Sequence, residues 1–145
     1  MLEGRFDGKT FIWPVRIYYE DTDLSGIVYH ANYLRYMERA RTEFFRALDI
    51  KASYLEDPDP AAWALRKVEI EYLRPARFDD HIAVRTNTTS LTGVRLCADQ
   101  AIWRGDELLT KGAVEACIIS LSGRPKRIPS EIRDKILPFL CETVA

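Results

Sequence analysis

Between Ala31 and Leu48 apolar side chains return at helical spacing. Tyr33, Met37, Ala40, Phe44 and Leu48 fall on one stripe, with Arg35, Glu38, Arg39, Thr42 and Arg46 on the polar ground between them. That spacing predicts a long amphipathic helix over 31–48. Ahead of it, "FIWPVRIYYE" (11–20) is rich in β-branched and aromatic residues and reads as a strand. Pro14 puts that strand at a sheet edge, or lies near its beginning. "DTDLSG" (21–26) breaks the strand with turn residues, and "DPDP" (57–60) marks a loop after the helix.

Four strand-like runs follow. In 62–73, Val68, Ile70 and Tyr72 alternate with Lys67, Glu69 and Glu71. Residues 80–90, 94–104 and 107–121 continue the series, joined by 74–80, 91–93 and 105–106. "SEIRDKILPFL" (130–140) predicts a short terminal helix, capped by Ser130 and limited by Pro138. Strand, long helix, four antiparallel strands and short helix make an α+β chain, with one dominant helix against one sheet.

The last long run adds a constraint. Val114, Ala116 and Ile118 face one way, and Cys117, Ile119 and Leu121 the other. Apolar residues on both faces predict that both are covered. The long helix covers one, and no second large element remains for the other. Wetting that face forfeits about 25 cal/mol per Å² of apolar surface. The pattern therefore predicts a second copy as the cover, in a homodimer or homotetramer.

Composition narrows the function classes. A chain of 145 residues is long enough to bury a core and reads as one domain over 1–145. Its 21 basic and 22 acidic side chains nearly cancel, so no global field draws nucleic acid. Cys97, Cys117 and Cys141 are odd in number and form no CxxC pair, which speaks against a disulfide scaffold and fits a reducing compartment. The N-terminus lacks a basic region followed by a continuous apolar stretch, and no run approaches the roughly 18 apolar residues of a membrane span. A cytoplasmic protein is the expectation.

The chemistry concentrates in "RIYYEDTDLSGIVYHANYLRYME", where Glu20, Asp21, Asp23 and His30 gather as a strand gives way to the helix. This stretch resembles the signature of the 4-hydroxybenzoyl-CoA thioesterase branch of hotdog-fold proteins. Within that branch it is most similar to the acyl-CoA thioesterases associated with the Tol-Pal envelope system. "YLRPARFDD" (72–80) is similar to the family's stretch after the second strand, and the resemblance covers nearly the whole chain. It implies a curved antiparallel sheet wrapped around a central helix, dimers with active sites at the subunit interface, and hydrolysis of acyl-CoA without a cofactor or metal.

The residues can be read chemically too. A thioester is an activated acyl group, so its hydrolysis needs a polarised carbonyl and a nucleophile or base. The unpaired amides near His30 and Ala31 can accept developing negative charge, one such donor being worth about 2.7–4 kcal/mol. Gly26 supplies the turn. The resemblance makes Asp23 the catalytic carboxylate. Either it attacks directly, giving a mixed anhydride, or a raised pKa lets it activate water. His30 has the proton affinity of an assisting acid or base; a helix-capping role is its structural alternative. Asn32 reads as ordering the turn or helix start. Tyr29 and Tyr33 wall an acyl pocket or pack the core. Glu20 and Asp21 read as solvated strand-end charges. Asp21, Asp23, His30 and His81 do not have the spacing of a recognised metal site.

Coenzyme A needs cations for its phosphates. "GRPKRIP" offers Arg124, Lys126 and Arg127, with a solvated turn as the structural alternative. Family members often carry several basic residues around the 91–95 turn, but here "LTGVR" leaves only Arg95. That departure admits acyl carrier protein as another acyl donor. Two further readings stay open: a hotdog hydratase or dehydratase, and an acyl-binding or envelope-associated module with little turnover.

Overall fold

The computed structural model of the chain describes residues 3–51, 53–54 and 58–141. Its strands are β1 (Arg5–Asp7), β2 (Thr10–Arg16), β3 (Ser53–Tyr54), β4 (Ala61–Tyr72), β5 (His81–Leu91), β6 (Leu96–Arg104), β7 (Glu107–Ser120) and β8 (Pro125–Lys126). Helix α1 (His30–Ala47) precedes β3, and α2 (Ser130–Ile136) follows β8. One antiparallel sheet runs in the order β1-β2-β5-β6-β7-β4-β3, with β8 also paired to β7. The long helix and the four long strands after it stand within two residues of their expected bounds. Residue 57 of the expected 57–60 loop lies outside the described residues.

The strand expected over 11–20 is β2, and it is shorter than its composition predicts. It leaves the ladder after Arg16, and Tyr19–Asp21 form a single 3₁₀ turn. There the Asp21 carboxylate accepts from the Tyr18 amide at 2.8 Å, while the Asp21 amide donates to the Tyr18 carbonyl at 3.0 Å. These local bonds compete with sheet pairing. Pro14 sits where only β5 pairs with β2, because β1 reaches no further than Ile12; its missing donor is tolerated on that open edge. The expected Ser130 cap is corrected. Pro129 occupies the cap position, its carbonyl accepting from Ile132 and Arg133, and Ser130 is the first helical residue. Pro138 does end α2, inside a 3₁₀ turn over Leu137–Phe139.

The sheet bends around α1 because it carries bulges. Register shifts fall between Leu65 and Lys67, between Thr88 and Ser90, and between Ile102 and Trp103. Each extra residue kinks its strand and adds twist. Helix α1 buries Tyr33, Tyr36, Met37, Ala40, Phe44 and Phe45 against the concave face. The Met37 side chain reaches Gly112 on β7, where an added Cβ would stand 2.7 Å from Met37 Cε and 3.2 Å from the Gln100 carbonyl oxygen. Glycine leaves room there for the end of the Met37 side chain.

On β7, Val114 and Ile118 are buried, Cys117 and Ile119 are half-buried, and Leu121 just beyond is exposed. The inner face is thus covered by α1. Among the described residues no helix is long and apolar enough to cross a membrane, and no three His, Cys, Asp or Glu side chains gather as metal ligands.

Candidate active site

Residues 22–28 fold into a tight hairpin that leads into α1. Thr22 bridges to Val28, the Asp23 amide donates to the Ile27 carbonyl at 2.9 Å, and the Gly26 amide donates to the Asp23 carbonyl at 3.1 Å. Gly26 has φ +79°, in the left-handed region that glycine enters freely. On the returning limb, the Tyr29 amide donates to the Asp21 carbonyl at 3.0 Å, and Asn32 Nδ2 donates to the same oxygen at 2.8 Å. Asn32 therefore orders the junction of hairpin and helix. Asp21 is half-buried and structural rather than a solvated charge.

Asp23 sits on the exposed tip. Its Oδ1 accepts from the Ser25 hydroxyl at 2.5 Å and from the Ser25 amide at 2.8 Å. The hydroxyl first, then the amide, holds the carboxyl below its usual range. Among the described residues none donates to Oδ2, so one oxygen is pinned and the other is open to a reactant. Leu24 beside it is fully exposed, and Tyr19 nearly so. In a single protomer this tip faces solvent.

The helix mouth lies at the other end of the hairpin. Tyr29 takes the cap position without a side-chain cap bond, and the His30 and Ala31 amides have no acceptor among the described residues. Such amides concentrate the positive end of the helix dipole. The exposed His30 ring packs on Tyr29, with centroids 4.5 Å apart, and meets Tyr72 edge-on at 6.3 Å. Tyr33 lies below as a core residue, its hydroxyl accepting from the Ala76 amide at 2.9 Å, and burial pushes its pKa up.

Two contributors carry no sequence motif. Tyr72, at the end of β4, donates its hydroxyl to the His30 carbonyl at 3.0 Å. Arg104 clamps the 75–80 loop, bonding to Asp80 at 2.6 Å, to the Pro75 carbonyl at 3.3 Å and to Glu107 at 2.6 Å. Those bonds, Glu107's foremost, raise the Arg104 pKa, while Arg74 and then Arg104 hold Glu107 low. The clamped loop in turn braces the hairpin: Arg77 bridges to Ile27, and the Ala76 carbonyl accepts from the Val28 amide at 2.9 Å. Only tertiary contact reveals these roles, since the residues lie some 50 or more positions from Asp23 in the chain.

The expected nucleotide contacts fall elsewhere. Tyr72, beside the helix mouth, pairs with Thr110 near the start of β7, whereas Lys126 pairs with Ile118 near its end. Arg124, Lys126 and Arg127 therefore lie towards the far end of α1, whose 18 residues span about 27 Å. Lys126 is already paired with Asp59 at 2.5 Å, and Arg95 lies 3.7 Å from Glu115. One protomer does not bring these cations to Asp23.

Comparison with known proteins follows the same geometry. Residues 25–111 match the model of the Thioesterase superfamily, a span that contains His30 and starts two positions after Asp23. The chain is 40% identical over 124 residues to the acyl-CoA thioester hydrolase YbgC of Escherichia coli O6:H1, covering 84% of this chain and 92% of that protein. It is 36% identical over 124 residues to the acyl-CoA thioesterase YbgC of Haemophilus influenzae, covering 85% and 91%. Among solved structures, a probable thioesterase from Bartonella henselae superposes with a TM-score of 0.76 at 35% identity, over 81% of this chain and 96% of that one. Helix, curved antiparallel sheet and sequence agree: the chain belongs to the thioesterase superfamily, as a hotdog-fold thioester hydrolase.

Proposed function

We propose that this protein hydrolyses short-chain acyl-CoA to a free carboxylic acid and CoA, with Asp23 as the nucleophile. The observation that supports the reading is that one short segment carries both a carboxylate whose pKa Ser25 lowers and, seven residues on, a helix mouth whose first two amides have no acceptor among the described residues. A low pKa suits direct attack better than activation of water, which calls for a raised one. Asp23 Oδ2 adds to the thioester carbon, and the His30 and Ala31 amides receive the oxyanion. Collapse expels the CoA thiolate and leaves a mixed anhydride. Water then hydrolyses the anhydride, releasing the acid and restoring the carboxylate. His30 assists proton transfer to the thiolate. The rings of Tyr29, His30 and Tyr72 crowd the mouth, which favours short acyl groups.

The site is completed by a second copy. From Trp63 to Tyr72 the outer edge of β4 has no strand partner among the described residues, and Leu65 and Tyr72 on it are exposed. An open edge flanked by apolar side chains favours strand-to-strand association. A two-fold pairing through β4 reverses the partner's direction. The partner subunit's basic turn would then approach this helix mouth, where CoA phosphates need it. The cysteine pattern supports a cytoplasmic location, and the resemblance of the 16–38 stretch supports an association with the Tol-Pal system.

The test is Asp23→Asn. Acyl-CoA hydrolysis is expected to fall by three or more orders of magnitude while the fold and assembly persist; retained turnover overturns the reading. In ¹⁸O-labelled water, a single turnover by direct attack, with water opening the anhydride at the Asp23 carbonyl, returns unlabelled acid carrying one oxygen from the enzyme and leaves the label on Asp23.

A further inference from the structure

Both side-chain bonds to Asp23 end on the same oxygen. Oδ1 accepts from the Ser25 hydroxyl at 2.5 Å and from the Ser25 amide at 2.8 Å, while Oδ2 has no donor among the described residues. Two ordinary purposes leave the hydroxyl unexplained. An unperturbed aspartate, with a pKa of about 4, is already ionised at neutral pH, so a further lowering adds almost no carboxylate there. The turn, for its part, is closed by main-chain bonds. The Asp23 amide donates to Ile27, the Gly26 amide donates to Asp23, and Thr22 bridges to Val28. The Ser25 amide adds a local turn bond to these, without help from the hydroxyl. On an attacking carboxylate, moreover, a donor is a handicap, since it withdraws electron density that the new bond needs.

The asymmetry fits the second half of the reaction. Once Oδ2 carries the acyl group, Oδ1 is the carbonyl oxygen on the aspartyl side of the mixed anhydride. Negative charge gathers on that oxygen when water adds at Asp23 Cγ, and the two Ser25 donors already stand 2.5 and 2.8 Å from it. Donors so placed bind the charged transition state more strongly than the neutral carbonyl before it. Asp23 and Ser25 are both exposed in a single protomer, so water has access to Cγ.

We propose that Ser25 is a catalytic residue of this second step: its hydroxyl and amide hold the oxyanion at Oδ1 and direct water to Cγ of Asp23 rather than to the acyl carbon. The inference rests on Asp23 as the nucleophile. The water oxygen bonds to Cγ, and the Cγ–Oδ2 bond breaks. Oδ2 leaves with the acyl group as the product carboxylate, and the water oxygen stays on Asp23. Of the two protons that water gives up, one balances the proton taken by the thiolate and the other passes to solvent. The acyl carbon is the competing target, since in the proposed mechanism the His30 and Ala31 amides polarise its oxygen. Ser25 decides between the two carbonyls of one anhydride.

The experiment is a single turnover of butyryl-CoA by excess intact protein in ¹⁸O-labelled water, with mass spectra of the acid and of the peptide holding Asp23. Wild type should return unlabelled acid and leave one ¹⁸O on Asp23. Ser25→Ala keeps the amide and loses the hydroxyl. It should raise the label in the acid relative to Asp23 by about ten-fold or more. Ser25→Thr, which restores a hydroxyl, should recover the wild-type partition. A merely structural hydroxyl would alter the rate but not which product carries the label. A borohydride quench marks the nucleophile separately, because it reduces an aspartyl anhydride to homoserine whichever carbon water attacks. Homoserine in place of Asp23 with the label in the wild-type acid, or with an unchanged partition in Ser25→Ala, overturns the role of Ser25 and leaves Asp23 as nucleophile. No homoserine, with the label in the acid from both proteins, overturns the nucleophile reading and the role of Ser25 with it.

Discussion

Tyr72 donates its hydroxyl to the main-chain oxygen of His30 at 3.0 Å, tying the end of β4 to the first residue of α1. Burial raises the Tyr72 pKa, so the donor keeps its proton through neutral and mildly alkaline pH. Tyr72→Phe retains the ring against Tyr33 and His30 but deletes the bond. A partly exposed neutral hydrogen bond is worth about 0.5–1 kcal/mol, the lower part of the usual range. Denaturant titration is expected to show a loss of that size. Acyl-CoA kinetics are expected to show a larger fractional fall in kcat than any change in KM, because the mouth is loosened where the proposed oxyanion forms.

Ser25 lowers the Asp23 pKa, and the sign of its effect follows from the bonds. Both bonds favour the carboxylate, so the folded pKa lies below the ordinary one. An Asp23-dependent rate is then present above that pKa and lost as pH falls through it. Ser25→Ala removes the 2.5 Å hydroxyl bond and keeps the amide. The acid limb of kcat/KM is expected to move to higher pH, towards the ordinary carboxylate range near 4. A limb that stays in place shows that another group governs it.

Arg104 holds the loop that braces the hairpin carrying Asp23. Arg104→Gln removes a charge shared by Asp80 and Glu107 and leaves both carboxylates short of a donor. Hydrogen bonds to charged groups are worth about 1.5–3 kcal/mol each, and the partial exposure of these argues for the low end in total. Hydrogen exchange is expected to quicken in 75–80 and 22–28 before it does in β5 to β7. Arg104→Lys is expected to restore only part of the protection, because an ammonium cannot span both carboxylates in the fork geometry of a guanidinium.

Gly112→Ala tests the seat of α1 on the sheet. The new methyl would press on Met37 Cε and on the Gln100 carbonyl, and overpacking of this kind costs about 1–3 kcal/mol. Met37→Leu takes away the flexible end of that contact. In a thermal-denaturation cycle the double variant is expected to lose less than the two single losses combined; simple additivity counts against the clash.

The sequence by itself determined the long helix, the four long strands after it and the cluster from Asp23 to Asn32. Periods of 3.6 and 2 are local properties, and a hairpin that runs straight into a helix keeps its chemistry contiguous in the chain. It could not show the strands of two or three residues, which are too short to leave a pattern and exist only because a neighbour pairs with them. Nor could it show the bulge at Leu65–Lys67, which reverses the face each residue presents and is set by the pairing with β7. The roles of Tyr72 and Arg104 came from folding alone, for they depend on which distant strand end meets the helix mouth and the 75–80 loop. Folding also carried the basic turn to the opposite end of α1 from Asp23, because antiparallel strands fix which chain ends meet.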